Sequence, residues 1–563
     1  MKNSNSDYSD HPEAEKENKH VKFVKEAEIE EMEESGTEYS DVDKTEVGEF
    51  DEEHMRLGGR KAFITLMHLS TGPLVSQISA ALYSIADQIW VARTIGDVGM
   101  AAISAFTILD TFSRAFGFFL SVAASSRISA LMGEGKGSLA SRILVDLLRI
   151  ALLCGIIIPL IFIPVAKPMA RWFGADEGLV NMGYEYILPC LSFAFIQCIF
   201  QLLCGVLQAE GRTMMFGVVQ VCASLLNVIV FDPLFLLFTD MGLKGASIAT
   251  IVSESTMMLI LLIMFINGKF STRIESKYLF MKPAVDTWPA VKVGLSMLIA
   301  NLSVAVPDVI MRKYIGSIVE GTTEFNDVMA AFNAFGRIFL IENAVMVAFT
   351  MGMLPAASYA FAAERYKRVM LLFFHATWVT LIWSLFNEIM CVFFSFYVVR
   401  IFSTTPSFVK WAGEMVRAAN YMILFTPTQY LVTTLLQSLG MGLTASIFGI
   451  STQLIPIPMF GTILFFTNKT DIIRLMKAYT CNDALSLLIS LLFLISPMKM
   501  LMGKIKEKIV EENAQTGEEI PVDQSLPQII SSALDEDATE SDTSVDLSDN
   551  YSDSEPQRRK SRA

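Results

Sequence analysis

Charge is what this chain has least of. Asp, Glu, Lys and Arg make up 18% of its 563 residues, against 52% hydrophobic residues, whereas a soluble domain carries about 25% charged residues. With a positive mean hydropathy, that balance excludes an ordinary soluble protein and places the chain in a lipid bilayer. Histidine is scarce too: there are five, three of them before residue 60. No Walker loop, nucleophile motif or metal-ligand spacing accompanies them, so no enzyme, no cofactor, no resident metal and no nucleic-acid partner is expected. The seven cysteines (154, 190, 198, 204, 222, 391 and 481) include no CxxC pair and lie in apolar stretches, as small buried hydrophobes do. The first fifty residues lack an apolar core, which argues against a cleavable secretory signal and leaves insertion to the first membrane span.

The net charge of −14 is concentrated at the ends. Residues 1–55 carry −13 and residues 501–563 carry −8, leaving +7 between them. Segments so acidic and poor in aromatics cannot bury enough apolar surface to offset chain entropy. Residues 1–58 and 504–563 are therefore expected to be disordered tails, and Ser548, Ser552 and Ser554, set among acids, are candidate phosphorylation sites.

Between the tails, twelve apolar stretches reach about the 20 residues a helix needs to cross a bilayer: 63–92, 100–124, 143–166, 184–208, 214–238, 243–266, 290–313, 328–354, 370–398, 415–438, 444–466 and 478–500. Their continuous apolarity, without period-two alternation, predicts helices, which satisfy their own backbone in lipid. The expected fold is an all-α polytopic membrane protein. Lys and Arg gather in the connections on one side, which by the positive-inside rule puts both tails in the cytoplasm. The sequon Asn468-Lys469-Thr470 falls in the opposite set, consistent with a plasma or organelle membrane.

The chain also repeats itself. Met100-Ala101-Ala102-Ile103-Ser104-Ala105-Phe106 returns as Met329-Ala330-Ala331-Phe332-Asn333-Ala334-Phe335; Leu207-Gln208-Ala209-Glu210-Gly211 returns as Leu436-Gln437-Ser438-Leu439-Gly440; Asp87 with Ile95-Gly96 returns as Asp308 with Ile315-Gly316. Three echoes in the same order predict two homologous lobes, 59–266 and 290–503, joined by a cytoplasmic linker over 267–289. Six spans per lobe make them parallel repeats, with a substrate path between them.

Ionisable residues at membrane depth are functional candidates because each costs a few kcal/mol or more unless paired or hydrated. Asp87 has Tyr83 one turn earlier on its face. Asp232 follows the apolar run Val228-Ile229-Val230-Phe231 and precedes Pro233, which loosens the helix and frees a carbonyl; Asn227 is the nearest polar residue before it. Asp110 and Arg114 are spaced to pair on one helix face. Glu254, Asp308, Arg337, Glu342 and Glu388 read either as neutralised structural charges or as a cavity lining for cationic substrates. The abundant Met and Phe (31 and 40 residues) suit promiscuous recognition of flat apolar cations, although most must face lipid or fill helix interfaces.

Taken in order, Tyr83-Xaa3-Asp87, Ile128-Ser129 with Gly133-Glu134-Gly135-Lys136, Leu207-Gln208-Ala209-Glu210-Gly211, Asn227 to Asp232-Pro233, and Gly245-Ala246-Ser247-Ile248-Ala249-Thr250 resemble the multidrug and toxic compound extrusion (MATE) family over residues 60–500, most closely its DinF-like branch. The resemblance implies twelve helices in two six-helix lobes and a monomeric exporter of amphipathic, often cationic compounds, driven by H⁺ or Na⁺. It also implies an N-lobe cation-coupling cluster of Tyr83, Asp87, Asn227, Asp232 and Thr250, with Na⁺, if used, at Asp87 and Asp232. Asn227 stands five residues before Asp232 where the family usually has four, a turn of about 100° on a regular helix that a bulge at Pro233 would absorb. Other branches carry C-lobe carboxylates in the seventh and tenth spans; here Val293 to Pro307 holds no acid and the tenth span offers Thr426 and Gln429. Two other readings stay open, a flippase for a lipid-linked or polyanionic substrate and a membrane scaffold working through its acidic tails.

Overall fold

The computed structural model describes residues 56–172, 177–239, 241–320, 322–516 and 527–534. Helix is the regular structure throughout, with no strand among the described residues. The first half holds α1 (Ala62–Thr94), α2 (Asp97–Gly133), α3 (Gly137–Trp172), α4 (Glu177–Ser192), α5 (Ala194–Ala209), α6 (Thr213–Leu225), α7 (Asp232–Leu237) and α8 (Leu243–Ile266). The second half holds α9 (Thr287–Val319), α10 (Phe325–Ala362), α11 (Tyr366–Phe393), α12 (Ser395–Val399), α13 (Pro406–Ala419), α14 (Thr426–Ser438), α15 (Gly442–Gly449), α16 (Pro456–Thr467) and α17 (Ile472–Thr516).

Every predicted apolar stretch overlaps helix, but fewer than twelve pass as simple spans. Among the described residues nine helices are long and apolar enough to cross a membrane, or ten when α4 and α5, bent by 52°, count as one. Two stretches fall short for physical reasons. Helix α1 carries His68, Ser70, Gln77, Ser84 and Asp87, which lower its hydropathy, and the stretch over 415–438 is broken between α13 and α14 by irregular chain and a 3₁₀ turn over Ile423–Phe425.

Two other helices are interrupted in matching places. A π turn over Leu226–Phe231 joins α6 to α7, and another over Ile450–Leu454 precedes α16; Pro233 or Pro456 follows each. Proline lacks an amide hydrogen and displaces the carbonyl four residues back, so the helix accommodates one extra residue per turn. The echo ending in Gly211 and Gly440 has a backbone origin as well. Both glycines close a helix at positive φ, +70° and +73°, which side-chain-bearing residues disfavour.

The halves meet along α1 with α10 and α2 with α9, and one end of this interface is shut. A Cβ on Gly352 would lie 2.4 Å from Ser70 Oγ, and one on Gly133 would lie 2.5 Å from the Tyr359 carbonyl. At the same end Ser126 Oγ donates to the Gln437 carbonyl at 3.1 Å, and Arg368 donates to the Arg60 carbonyl at 2.6 Å and Thr65 Oγ1 at 3.0 Å.

The linker ends earlier than expected, because α9 begins at Thr287, and it is fastened to the first half. Buried Asp146 of α3 accepts from the Ala284 amide at 2.8 Å, Thr287 Oγ1 at 2.9 Å and Arg149 at 2.9 Å, while buried Glu210 accepts from the Thr272 amide at 2.9 Å. The C-terminal boundary also moves. Helix α17 continues past residue 504 to Thr516, and residues 527–534 are helical with Ile529 and Ala533 buried, because isolated apolar residues in this acidic stretch still find core to pack against. The N-terminal tail through residue 55 and Ser548, Ser552 and Ser554 lie outside the described residues.

Candidate functional site

Away from the shut end the halves separate around a cavity of about 1380 Å³, roomy for a drug-sized molecule. Its rim carries Trp172 of the first half, 65% exposed, with the Lys313 ammonium of the second half 4.6 Å above the ring centroid. Its floor reaches Gln77 and Met351.

The first-half wall assembles the sequence-predicted cluster from three helices. Tyr83 of α1 donates its hydroxyl to Thr250 Oγ1 of α8 at 3.2 Å, and Asn227 Nδ2, from the π turn, donates to the same oxygen at 3.2 Å; Thr250 in turn donates to the Ala246 carbonyl. Tyr83, Asp87, Asn227 and Thr250 all line the cavity. Asp232 lies behind this wall, fully buried, close enough to Asp87 for their charges to interact. The π turn is the bulge expected at Pro233. It bonds the Asp232 amide to the Asn227 carbonyl five residues back, and its Val228 carbonyl accepts from Trp90 Nε1 at 3.1 Å. The five-residue spacing thus leaves Asn227 within the cluster.

Among the described residues neither carboxylate oxygen of Asp232 has a hydrogen-bond partner, nor does Asn227 Oδ1. An unpaired ionised carboxylate in an apolar interior costs several kcal/mol, a large share of the ~5–15 kcal/mol that holds a domain folded. Simple packing does not account for an acid kept there.

The other charges sort themselves by pairing. Arg114 donates to Asp110 at 2.8 Å and to Glu254 at 3.3 Å, one guanidinium between two acids on the cavity wall. In the second half Arg312 pairs with Asp308 at 3.4 Å and donates to Asn333 at 2.7 Å; both Asp308 and Arg337 face the cavity. Glu342 does not line it. That residue is buried between helices, where Oε1 accepts from Cys391 Sγ at 2.9 Å and Asn420 Nδ2 at 3.2 Å. Glu388 likewise does not line the cavity. Thr426 and Gln429 line the second-half wall. All seven cysteines are free thiols, with Cys391 the one that also serves as a donor to a carboxylate.

Sequence reading missed Asp483, 8% exposed on α17, and the rim cations Arg312 and Lys313. The signal for Asp483 was available, since it lies within the apolar stretch 478–500 and meets the same criterion that singled out Asp87.

The comparisons agree with this architecture. The MatE family model matches residues 74–234 and again 297–460, two consecutive matches that reproduce the duplication. The chain is 21% identical over 411 residues to a multidrug export protein, MepA, of Staphylococcus haemolyticus, covering 72% of this chain and 87% of that protein, and 22% identical over 418 residues to MepA of Staphylococcus aureus strain N315, with the same coverages. Among solved structures it superposes on an outward-facing multidrug resistance MATE family transporter with a TM-score of 0.71 at 20% identity, covering 80% of this chain and 98% of that one. It also superposes on a MOP superfamily transporter from Pyrococcus furiosus with a TM-score of 0.72 at 19% identity, again covering 80% and 98%. With two family matches spanning more than half its length, the chain belongs to the MatE family, the multidrug and toxic compound extrusion transporters, and is an integral multi-pass membrane transporter rather than an enzyme.

Proposed function

We propose that this transporter is a cation-coupled antiporter, driven by H⁺ or Na⁺, that exports amphipathic, cationic organic compounds by alternating access between two six-span lobes. The observation that carries the reading is Asp232, buried behind the Asp87–Tyr83–Thr250–Asn227 wall with neither oxygen hydrogen-bonded among the described residues. A proton or Na⁺ taken up there, with Asp87 as the entry group on the cavity, changes the relative stability of two lobe arrangements by its differential affinity for them. Multidrug export is the named activity of the relatives. The acidic first-half wall, with Asp87, Asp110 and Glu254 against the single Arg114, favours positively charged substrates. With both termini cytoplasmic, the cavity faces outward and the exposed Asn468-Lys469-Thr470 turn lies on the outer side; the monomer is the working unit.

The test is efflux from proteoliposomes under an imposed pH gradient and, separately, an imposed Na⁺ gradient. Activity under one gradient alone names the ion. If Asp87→Asn and Asp232→Asn each leave gradient-driven efflux unchanged, the mechanism fails. Arg312, Lys313 and Arg337 on the second-half wall support the flippase reading instead, which wins if lipid-linked anions bind the purified protein and cationic dyes do not.

A further inference from the structure

The linker between α8 and α9 displays apolar side chains that the coupling mechanism above leaves unused. Its backbone is clamped to α3. Arg149 donates to the Tyr278 carbonyl, Arg142 donates to the Lys282 carbonyl at 2.7 Å, and Asp146 accepts from the Ala284 amide and the Thr287 hydroxyl at 2.8 and 2.9 Å. Small residues face inward, since Ala284 and Thr287 are buried. The large apolar residues face out: Phe280 is 90% and Val285 84% exposed, and Leu279, Met281 and Trp288 are exposed beside them.

Exposed apolar surface on a clamped backbone marks an interaction site, and the neighbouring helices show which way this one faces. On α3, the spacing of Arg142, Arg149, Leu153, Ile156 and Leu160 puts them on one helix face. The three apolar members are exposed on a helix apolar and long enough to cross the membrane, so that face meets lipid. On α9, Trp288 is followed one turn later by exposed Lys292 and two turns later by exposed Leu295. The linker thus sits where two lipid-facing stripes reach the bilayer surface, the depth that tryptophan and lysine favour. Asp286 meets Arg127 of α2 at 2.5 Å, which places this surface at the shut end, where Gly133 of α2 closes on Tyr359. Charge adds a second constraint. Glu275 pairs with Lys277, Asp286 with Arg127 and Asp146 with Arg149, so Arg142, Lys282 and Lys292 are positive charge in excess of these three acids. An apolar tip flanked by surplus cations suits a lipid surface that carries negative headgroups.

We propose that residues 276–292 form a membrane-docking surface: Leu279, Phe280 and Val285 insert into the leaflet at the shut end, and Arg142, Lys282 and Lys292 bind its anionic lipid headgroups. Because this stretch is clamped to α3 and runs directly into α9, lipid held there touches both halves.

The experiment is tryptophan fluorescence of the full chain in phosphatidylcholine nanodiscs, comparing Phe280→Trp with the unmodified chain so that the difference signal reports position 280. Phosphatidylcholine brominated in its acyl chains is expected to quench that signal, and iodide in the buffer to leave it. Val285→Trp gives the same readout if Phe280→Trp does not fold. At equal mole fraction, brominated phosphatidylglycerol should quench about twofold or more strongly than brominated phosphatidylcholine, since each surface Lys or Arg favours an anionic leaflet. The excess should vanish in high salt, which screens exposed charges, and when Lys282→Ala and Lys292→Ala are combined, while quenching by the neutral bromolipid persists. The proposal is overturned if iodide and not bromolipid reaches these positions, as on a surface left to water or to a protein partner. It is equally overturned if the two bromolipids quench alike, or if the combined lysine variant keeps the excess. None of these readouts involves the coupling ion or the transported compound, so failure of the antiport mechanism leaves the docking surface standing, and the reverse.

Discussion

In the first half a π turn over Leu226–Phe231 runs into Asp232-Pro233; in the second a π turn over Ile450–Leu454 runs into Ile455-Pro456. Each turn has a carbonyl taken up by a distant side chain, Val228 by Trp90 and Thr452 by Ser486. The side chain before the proline differs. Asp232 is fully buried and has no hydrogen-bond partner among the described residues, whereas Ile455 is 51% exposed. Asp308, the echo of Asp87, is held by Arg312, while the second half's buried cavity-facing acid, Asp483, comes from α17. Duplication therefore carried over the backbone defect, and the placement of one carboxylate separates the two chemistries built on it.

The strongest way to break this comparison is to move that carboxylate's charge. Asp232→Asn is expected to lower gradient-driven efflux by about a hundredfold, near the upper range of allosteric coupling, and Ile455→Ala by less than about twofold; equal losses in vesicle efflux would make the halves equivalent. The ion pairs come next. Arg114→Ala strands Asp110 and Glu254 together and should lower stability by about 2–3 kcal/mol, while Arg312→Ala, removing a pair about two-fifths exposed on each side, costs less than about 1 kcal/mol; thermal unfolding in detergent measures both. Shut and open ends can be compared through glycines. Gly352→Ala, whose Cβ would lie 2.7 Å from the Ser70 amide nitrogen, is expected to destabilise by about 1–2 kcal/mol, whereas Gly316→Ala, with nothing within 4 Å, stabilises by up to about 1 kcal/mol. The smallest effect tests what the halves share. Trp90→Phe and Ser486→Ala each remove one donor to a π-turn carbonyl and should cost a similar amount, about 1 kcal/mol; a large inequality between their unfolding midpoints would show that the two turns are not the same device.

Much of the fold was legible because membrane spans are written in composition. The apolar stretches, the linker and the repeat could be read directly, and so could Asp87 and Asp232, since an acid within an apolar run is conspicuous wherever it folds. Tyr83 and Asn227 stood out as polar neighbours of those acids, Thr250 came through the family resemblance, and the convergence of the first two on the Thr250 hydroxyl is a matter of helix packing. What escaped was of two kinds. The broken stretch 415–438 read as continuous because apolarity does not record where a backbone stops bonding to itself. Glu342 stayed open between a structural charge and a cavity lining, because its partners, Cys391 and Asn420, lie 49 and 78 residues away.

By itself the sequence determined that the chain is helical and belongs in a bilayer, since runs of apolar residues in lipid must satisfy their backbone internally, and that the architecture is doubled, since the echoes keep one order. Only the tertiary structure decided which carboxylates are left without partners. Asp110 and Asp232 lie on interrupted or cavity-lining helices alike, yet the first meets a guanidinium and the second has no hydrogen-bond partner among the described residues. Such pairing depends on which helix faces are brought together across the fold, and side chains hundreds of residues apart are assigned their neighbours by packing alone.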